Sequence, residues 1–311
     1  IDGDISSAGV LFRWLTIPGS PSSQKTFQSF FELADGEIVF SDEWPGLSDL
    51  SAFVYTDDNE IDVSVSNATS MGLALESAWG TIRRNDRQEN WLNIQGVATG
   101  PTAAGLDYLQ NAAVGEPIKA AFSGWGASGD INAKVLVDIP LSEMSIGTDV
   151  RIELALDNNN LTIPDYALSL EQVAGAVVFD TRTGVETTQL TGELFSKPVE
   201  VILSSSLNEG ELETIIVDAK GSASPQQLID WPLQSDFVSN ILGYAEGEVG
   251  FDSRLRLEQA TSTDRANSLR ISSNLEGAKL TLPEPFAKDF GEQMPLLLDI
   301  DFSEKQKISG S

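Results

Sequence analysis

The sequence predicts a mainly β protein with a few short helices, arranged as a long, mostly antiparallel sheet. Three observations carry that expectation. Apolar and polar residues alternate with a period of two in segment after segment, turn residues separate those segments, and helical spacing is confined to three short stretches. Alternation of this kind marks strands with one face in an apolar environment and the other in water.

Along the chain, Ile61, Val63 and Val65 alternate with Asp62 and Ser64. Ile131, Ala133, Val135, Val137 and Ile139 share one face, with Asn132, Lys134 and Asp138 opposite. Val150, Ile152, Leu154 and Leu156 repeat the pattern against Arg151, Glu153 and Asp157, and Val199, Val201 and Leu203 repeat it again. Two further segments, Leu269–Leu282 (with Leu269 and Ile271 in phase) and Pro295–Phe302 (with Leu296, Leu298, Ile300 and Phe302 in phase), read as strands. Pro283 and Pro285 lack the N–H that a ladder needs, so Leu282-Pro283-Glu284-Pro285 ends the first of these or lies on an edge. Turns are expected at Asp35-Gly36, Asp157–Asn160, Thr183-Gly184 and Asn208-Glu209-Gly210, and Pro18–Ser23 is the segment of most flexible composition.

Helices are expected at Ala103–Ala113, from the spacing of Leu106, Leu109 and Ala113, and after Ser224-Pro225, a cap followed by proline at the first helical position. A third spans Ser235–Leu242 and stops at Gly243. They fall at matching places in an internal repeat. The strand Leu92–Gly96, a helix and Gly129 opening Asp130–Ile139 parallel the strand Ile215–Gly221, two helices and Gly247 opening Glu248–Leu257. One continuous segment over 1–311 is expected, with a subdivision into 1–145 and 146–311 by this repeat.

Composition excludes several functions. Asp and Glu number 47 against 19 Lys and Arg, a net charge of −28 that would repel a phosphate backbone, so no nucleic-acid partner is expected. No cysteine is present, which removes disulfides, thiol chemistry and thiolate metal sites; no histidine is present, which removes the commonest general base and metal ligand. No run approaches the roughly 18 apolar residues that span a bilayer. The first residue is Ile1, and the chain reads as a piece of a longer polypeptide, with any membrane attachment outside it.

The candidate chemical constellations are weak. Asp57-Asp58-Asn59-Glu60-Ile61-Asp62 offers oxygen ligands but lacks the glycine and closing glutamate of a calcium loop, and reads as a solvated turn. Arg83, Arg84 and Arg87 read likewise. Gly124-Trp125-Gly126-Ala127-Ser128-Gly129 has the spacing of a dinucleotide loop but precedes a strand rather than a helix. Ser196-Lys197-Pro198 gives no sign of the buried lysine that a Ser–Lys nucleophile needs. No enzyme activity, cofactor or metal is expected. Trp44, Trp79, Trp91, Trp125 and Trp231 sit at strand or turn edges, where indoles pack a core or stack on sugars. An apolar-faced sheet with so few helices must close on itself or accept another apolar surface, and periodicity alone favours a β-sandwich, such as a carbohydrate-binding or adhesion module.

The order of motifs points elsewhere. Asn274-Leu275-Glu276-Gly277, Leu282-Pro283-Glu284-Pro285, Lys288 and Gly291-Glu292-Gln293-Met294-Pro295-Leu296 follow one another as in the YhdP family of AsmA-like envelope proteins, which this region resembles. The resemblance extends to Phe31–Phe40 with Trp44-Pro45-Gly46-Leu47, to Gly96–Gly100 through Leu141, and to Val173-Ala174-Gly175 through Val201; Gly115-Glu116-Pro117 departs from it, standing where the family has an apolar run. It implies a curved sheet forming an apolar groove, in a periplasmic segment of a Gram-negative lipid-transfer protein anchored in the inner membrane. It also implies phospholipid acyl chains as ligand, further envelope proteins as partners, and a groove lined by Ile131, Ala133, Val135, Val137, Ile139, Val150, Ile152, Leu154, Val199, Val201, Leu269, Ile271, Leu296, Leu298 and Ile300.

Overall fold

A computed structural model describes residues 2–16, 23–39, 44–112, 116–141, 148–208, 211–232, 236–258, 267–302 and 307–310. In order, the chain forms β1 (Asp2–Thr16), β2 (Ser23–Ile38), β3 (Leu47–Asp57), β4 (Glu60–Ser70), β5 (Leu73–Arg84) and β6 (Asn90–Pro101). Helices α1 (Thr102–Asn111) and α2 (Glu116–Ala121) precede β7 (Gly126–Ser128), β8 (Asp130–Pro140), β9 (Asp149–Ile163), a 3-10 turn (Pro164–Tyr166) and β10 (Leu168–Asp180). There follow β11 (Gly184–Leu194), β12 (Lys197–Asn208), β13 (Glu211–Ala223), α3 (Pro225–Ile229), α4 (Asp236–Leu242), β14 (Ala245–Gly247) and β15 (Val249–Glu258). The last strands are β16 (Ser268–Ser273), β17 (Ala278–Leu280), β18 (Leu296–Asp301) and β19 (Lys307–Gly310). Seventeen of the strands form one open antiparallel sheet; β14 and β17 pair separately. This is the mainly β, single-sheet architecture expected from the resemblance, and among the described residues the second face-to-face sheet of a sandwich is not part of it.

The chain divides into two compact units, each with its own meander. The first comprises Ile1–Ala113, Asp130–Leu154 and Phe179–Arg182, and its ladder runs β1–β2–β3–β4–β5–β6–β8. The second comprises Val114–Gly129, Ala155–Val178 and Thr183–Ser311, and its ladder runs β11–β12–β13–β15–β16–β18–β19. In each, one pair of directly hydrogen-bonded strands is joined by helices instead of a hairpin turn. Strand β6 leads through α1 and α2 to β8, and β13 leads through α3 and α4 to β15. Both crossovers end alike, with a three-residue strand, a glycine of positive φ directly after it (Gly129 at 97°) or as its last residue (Gly247 at 105°), and then a long strand.

Local chemistry explains the helices. Ser224 accepts from the Gln227 N–H while the Gln227 side chain accepts from the Ser224 N–H, a reciprocal cap on α3 with Pro225 behind it. Helix α4 stops at Gly243 as expected. Helix α2 was not expected: Pro117 lies in its first turn, where a missing N–H costs nothing.

Two expected turns are bulges. Asp35-Gly36 lies inside β2, where Asp35 adopts φ of 50° and the register to β3 shifts. Asp157–Asn160 lies inside β9, where Asn158 adopts φ of 58° and the Asn159 side chain accepts from the Asp157 N–H. Short polar residues that favour the left-handed region serve a bulge as well as a turn. Leu269–Leu282 is two strands, because Leu275 (φ 53°) and Gly277 (φ 93°) break it, and the Ser273 hydroxyl accepts from the Leu275 N–H at the break. Its second half, β17, leaves the long sheet for β14, so the two prolines follow a short strand of the small sheet. The Thr183-Gly184 turn joins β10 to β11 as expected, whereas Glu209, Gly210, Ser235 and most of Pro18–Ser23 lie outside the described residues.

The small sheet needs Gly247. A Cβ there would run into the carbonyl oxygen of Gly277 and the Phe290 ring, at a φ that side chains resist, whereas a Cβ at Gly291 would meet nothing within 4 Å. Gly247→Ala is expected to lower stability by roughly 1–3 kcal/mol in urea unfolding, with Gly291→Ala within about 0.5 kcal/mol of the parent. Equal midpoints for the two variants would contradict the account.

Candidate functional site

Cross-strand partners put their side chains on the same face, so the register of each ladder defines what that face contains. In the first unit one row reads Ala8, Phe31, Val54, Val63, Gly80, Ile94, Val137, and the next reads Leu33, Ala52, Val65, Ala78, Gly96, Val135. Toward one end lies Ala68, Leu75, Ala98, Ala133; toward the other, Thr56, Ile61, Ile82, Leu92, Ile139. The face is therefore apolar across seven strands. Its floor is low in the middle, where Ala78, Gly80, Gly96 and Ala98 cluster.

Burial along this face is graded. Ala68, Ala98, Ile131 and Ala133 are buried at the end near α1, whose Gly105 lies over Ile131. Val63, Val65, Ile82, Ile94, Val135, Val137 and Ile139 are only half-buried. A second packed layer would have covered them, and among the described residues of this unit none does. In β9, Val150 is buried and Ile152 and Leu154 are half-buried, opposite Arg151 and Glu153, which pair at 3.1 Å.

The second unit builds the same kind of face. Its rows are Leu190, Val201, Ala219, Ser253, Ile271, Leu298 and Leu203, Val217, Leu255, Leu269, Ile300, with Val199, Gly221 and Phe251 beyond them and Leu296 opposite Ser273. Here burial is deeper: Val199, Val201, Leu203, Ile215, Leu255, Leu257, Leu269 and Ile300 are all buried.

The reason is curvature within this unit. Strand β10 lies beside β11, where Gly175 meets Leu190 and Gly192 meets Val173. Counting from β10, strand β18 is six places away, about 29 Å on a flat sheet. Yet Tyr166, just before β10, packs its ring edge-on against Phe302, just after β18, with centroids 4.7 Å apart. Asn267, just before β16, donates to the Tyr166 hydroxyl at 2.7 Å. Only a sheet that curls over its apolar face permits both contacts. An open groove of about 710 Å³ lies at the ends of β13, β15, β16 and β18, lined by Phe251, Leu296, Leu297 and Pro295 together with Lys220, Asp252, Ser272, Ser273 and Asn274.

Charge collects on the other face. The row Ile202, Asp218, Arg254, Arg270, Asp299 forms two ion pairs, Arg254 with Asp218 at 2.6 Å and Arg270 with Asp299 at 2.6 Å, which raise both guanidinium pKa values. Lys197 pairs with Glu248 at 2.7 Å and, with Ser222, holds the Glu248 carboxyl below its usual range. In the first unit the corresponding rows carry Tyr55, Asp62, Thr81, Asn93, Asp138 and Phe53, Ser64, Trp79, Gln95, Leu136.

All the expected groove residues of β8 share one face, as do those of β12, β16 and β18. Sequence reasoning left out of the groove lining their partners on β3–β6 and the row Leu203, Val217, Leu255, although it read Leu203 as alternating. Ile61, Val63 and Val65 carried the signal in their alternation, but Gly80 and Gly96 carry none, since glycine has no polarity to alternate. The other constellations resolve into structure. Asp58 accepts from the Phe27 N–H and Asp62 from Arg83, and among the described residues no acidic group has a metal-holding arrangement. Lys197 is paired on the surface; among the described residues the buried lysine is Lys288, which donates to the Ala278 and Asp289 carbonyls. Of the five edge tryptophans only Trp79, at 56%, is exposed, while Trp231 is buried and donates to the Tyr166 carbonyl at 2.9 Å.

The family described as YhdP protein matches residues 1–310. A curated relative, the intermembrane phospholipid transporter YhdP of Escherichia coli (strain K12), is 22% identical over 276 residues, covering 88% of this chain and 21% of that protein. The chain thus spans about a fifth of the relative's length. No solved structure matches it significantly.

The buried Tyr166 gives a pH signature. Burial pushes its phenol up to about 12, against the lowering effect of the Asn267 hydrogen bond and with a small upward contribution from Asp165. A folded-state pKa above the unfolded value of about 10 stabilises the protein fully below pH 10 and progressively less up to about 12. Burial raises Tyr108 as well, so the test is the difference between variants. Above pH 10 the urea midpoint of the parent is expected to fall more steeply than that of Tyr166→Phe; parallel curves would remove Tyr166 as the source.

Proposed function

Because this chain belongs to the YhdP protein family, we propose that it is a segment of an envelope lipid-transfer protein, whose apolar sheet face shields phospholipid acyl chains on their way between membranes. The observation that carries the reading is the first unit's face, apolar in register across seven strands and only half-buried at Val63, Val65, Ile82, Ile94, Val135, Val137 and Ile139. Apolar surface left in water costs about 25 cal/mol per Å², and acyl chains are a covering that needs no fixed partner geometry. The Gly and Ala floor gives such chains depth.

The mechanism is shielding. Acyl chains lie against the aliphatic rows, and head groups stay in water at the rim. The ion-paired and acidic outer face keeps a chain of net charge −28 soluble and turns its repulsion of anionic head groups away from the apolar path. Such transfer breaks no covalent bond, and the segment acts without catalysis. The relative's role between membranes supports an envelope setting, and a periplasmic position for this segment follows from the same reading. No helix among the described residues is long and apolar enough to cross a membrane, so attachment would belong to other parts of the protein. The burial of Trp231 weighs against a sugar-binding module built on the edge tryptophans.

Adjacent residues on β8 test the reading because they point to opposite faces. Solvent extraction and mass spectrometry of the purified chain are expected to recover phospholipid. Val137→Glu places a charge on the apolar face and is expected to abolish that recovery, while Leu136→Glu on the outer face leaves it intact. Equal recovery from the two variants, or none from the parent, would sink the proposal.

A further inference from the structure

Tyr166 is held from three directions by residues remote in sequence. Its carbonyl accepts from the Trp231 indole N–H, its hydroxyl accepts from Asn267, and its ring meets Phe302. Phe302 and Asn267 are themselves joined, the Phe302 N–H donating to the Asn267 carbonyl at 2.9 Å. Tyr166 sits in a four-residue connection, Pro164 to Ala167, that closes by a hydrogen bond from the Ala167 N–H to the Pro164 carbonyl. Trp231 follows the capped helix α3, whose Gln227 side chain donates to the Phe195 carbonyl at the end of β11.

The positions of these groups in the sheet give the cluster its meaning. Tyr166 stands at the end of β10 that lies level with Phe195 and the start of α3. Asn267 and Phe302 stand at the far ends of β16 and β18, away from α3. The contacts therefore join diagonally opposite corners of the second unit's strands, the corners that a coiled, twisted sheet brings together. Beneath them lies the buried apolar face.

We infer that Tyr166, Trp231, Asn267 and Phe302 form a clasp that closes the second unit's apolar face against sideways entry of acyl chains. This rests on the reading of that face as an acyl-chain path. With the clasp shut, a chain threads in along the strands from an open end, such as the groove beside Phe251 and Leu296. With it open, a chain enters from the side. Across the diagonal one hydrogen bond, from Asn267, and one ring contact, with Phe302, hold the corners together, so the joint can part without disturbing any ladder.

The chain has no cysteine, so engineered thiols are unique. In the full chain carrying Tyr166→Cys and Asn267→Cys, the entry rate of a fluorophore-labelled fatty acid is measured before and after bridging the thiols with a short bis-maleimide. Before bridging, entry is expected to be about tenfold faster than in the parent, the scale of the lost Asn267–Tyr166 hydrogen bond together with the lost ring contact. Bridging is expected to restore the parental rate; the first unit's contribution is common to all forms and cancels. Tyr166→Phe, which keeps the ring on Phe302 and loses only the Asn267 bond, is expected to show a smaller acceleration and guards against misfolding of the double variant. Equal rates in bridged and unbridged protein, or no uptake by any form, would overturn the clasp. A bridging-dependent rate in a protein that never yields phospholipid would instead defeat the lipid-transfer reading and leave the clasp standing.

Discussion

The structure depends on parity. In an antiparallel ladder a directly paired residue shares its partner's face, and a slip of one residue turns a whole strand over. Seven strands of the first unit stay in phase, so that Val54, Val63, Gly80, Ile94 and Val137 fall on one line. Where the spacing of apolar residues changes, the backbone absorbs it. Leu75 and Ala78 are three residues apart in β5, yet both face inward, because the register to β6 shifts between Leu75 and Ser77. Strand β4 makes the matching adjustment between Val65 and Ala68. Bulges are thus the means by which an imperfect sequence period yields an unbroken apolar face.

The outer face protects that phase. Asp218, Arg254, Arg270 and Asp299 stand side by side across four strands, with each arginine next to an aspartate. These pairs are exposed and add little stability individually. Their effect is on alternatives: a one-residue slip of β16 would turn Arg270 into the apolar face and bring Leu269 or Ile271 out. Charge on one side and aliphatic side chains on the other then specify the same register, and that agreement lets a wide single sheet dispense with a second layer.

Much of this was legible in the sequence because alternation is a local signal. Val135 and Val137, or Leu298 and Ile300, announce their face from their neighbours alone. Ser224-Pro225 announces a helix start for the same reason. What failed was local chemistry with two uses. Asp35-Gly36 and Asn158 favour positive φ, which serves a turn and a bulge alike, and only the continuing ladder separates them. The break at Leu275–Gly277 was hidden by aliphatic residues on both sides. Tyr166 was invisible for a different reason: its partners lie 65 and 101 residues away, and nothing around it in the chain marks it as a meeting point.

The two helical crossovers bear on why the face stays available. Strands β6 and β8, like β13 and β15, are direct neighbours that a two-residue turn could have joined. Each pair is joined by helices instead, and α1 with Gly105 over Ile131 shows what such a connection achieves: it covers one end of the apolar face and leaves the rest open. A longer helix would cover more and make an ordinary α/β core. These helices stop after two or three turns at most, and a glycine of positive φ then kinks the chain as it runs on into the next long strand. Covering an end while sparing the middle suits a surface that must remain folded in water when empty and still admit apolar chains. In the second unit the curl of the sheet contributes to the covering, so the two units meet one problem, the exposure of a wide apolar face to water, in different ways.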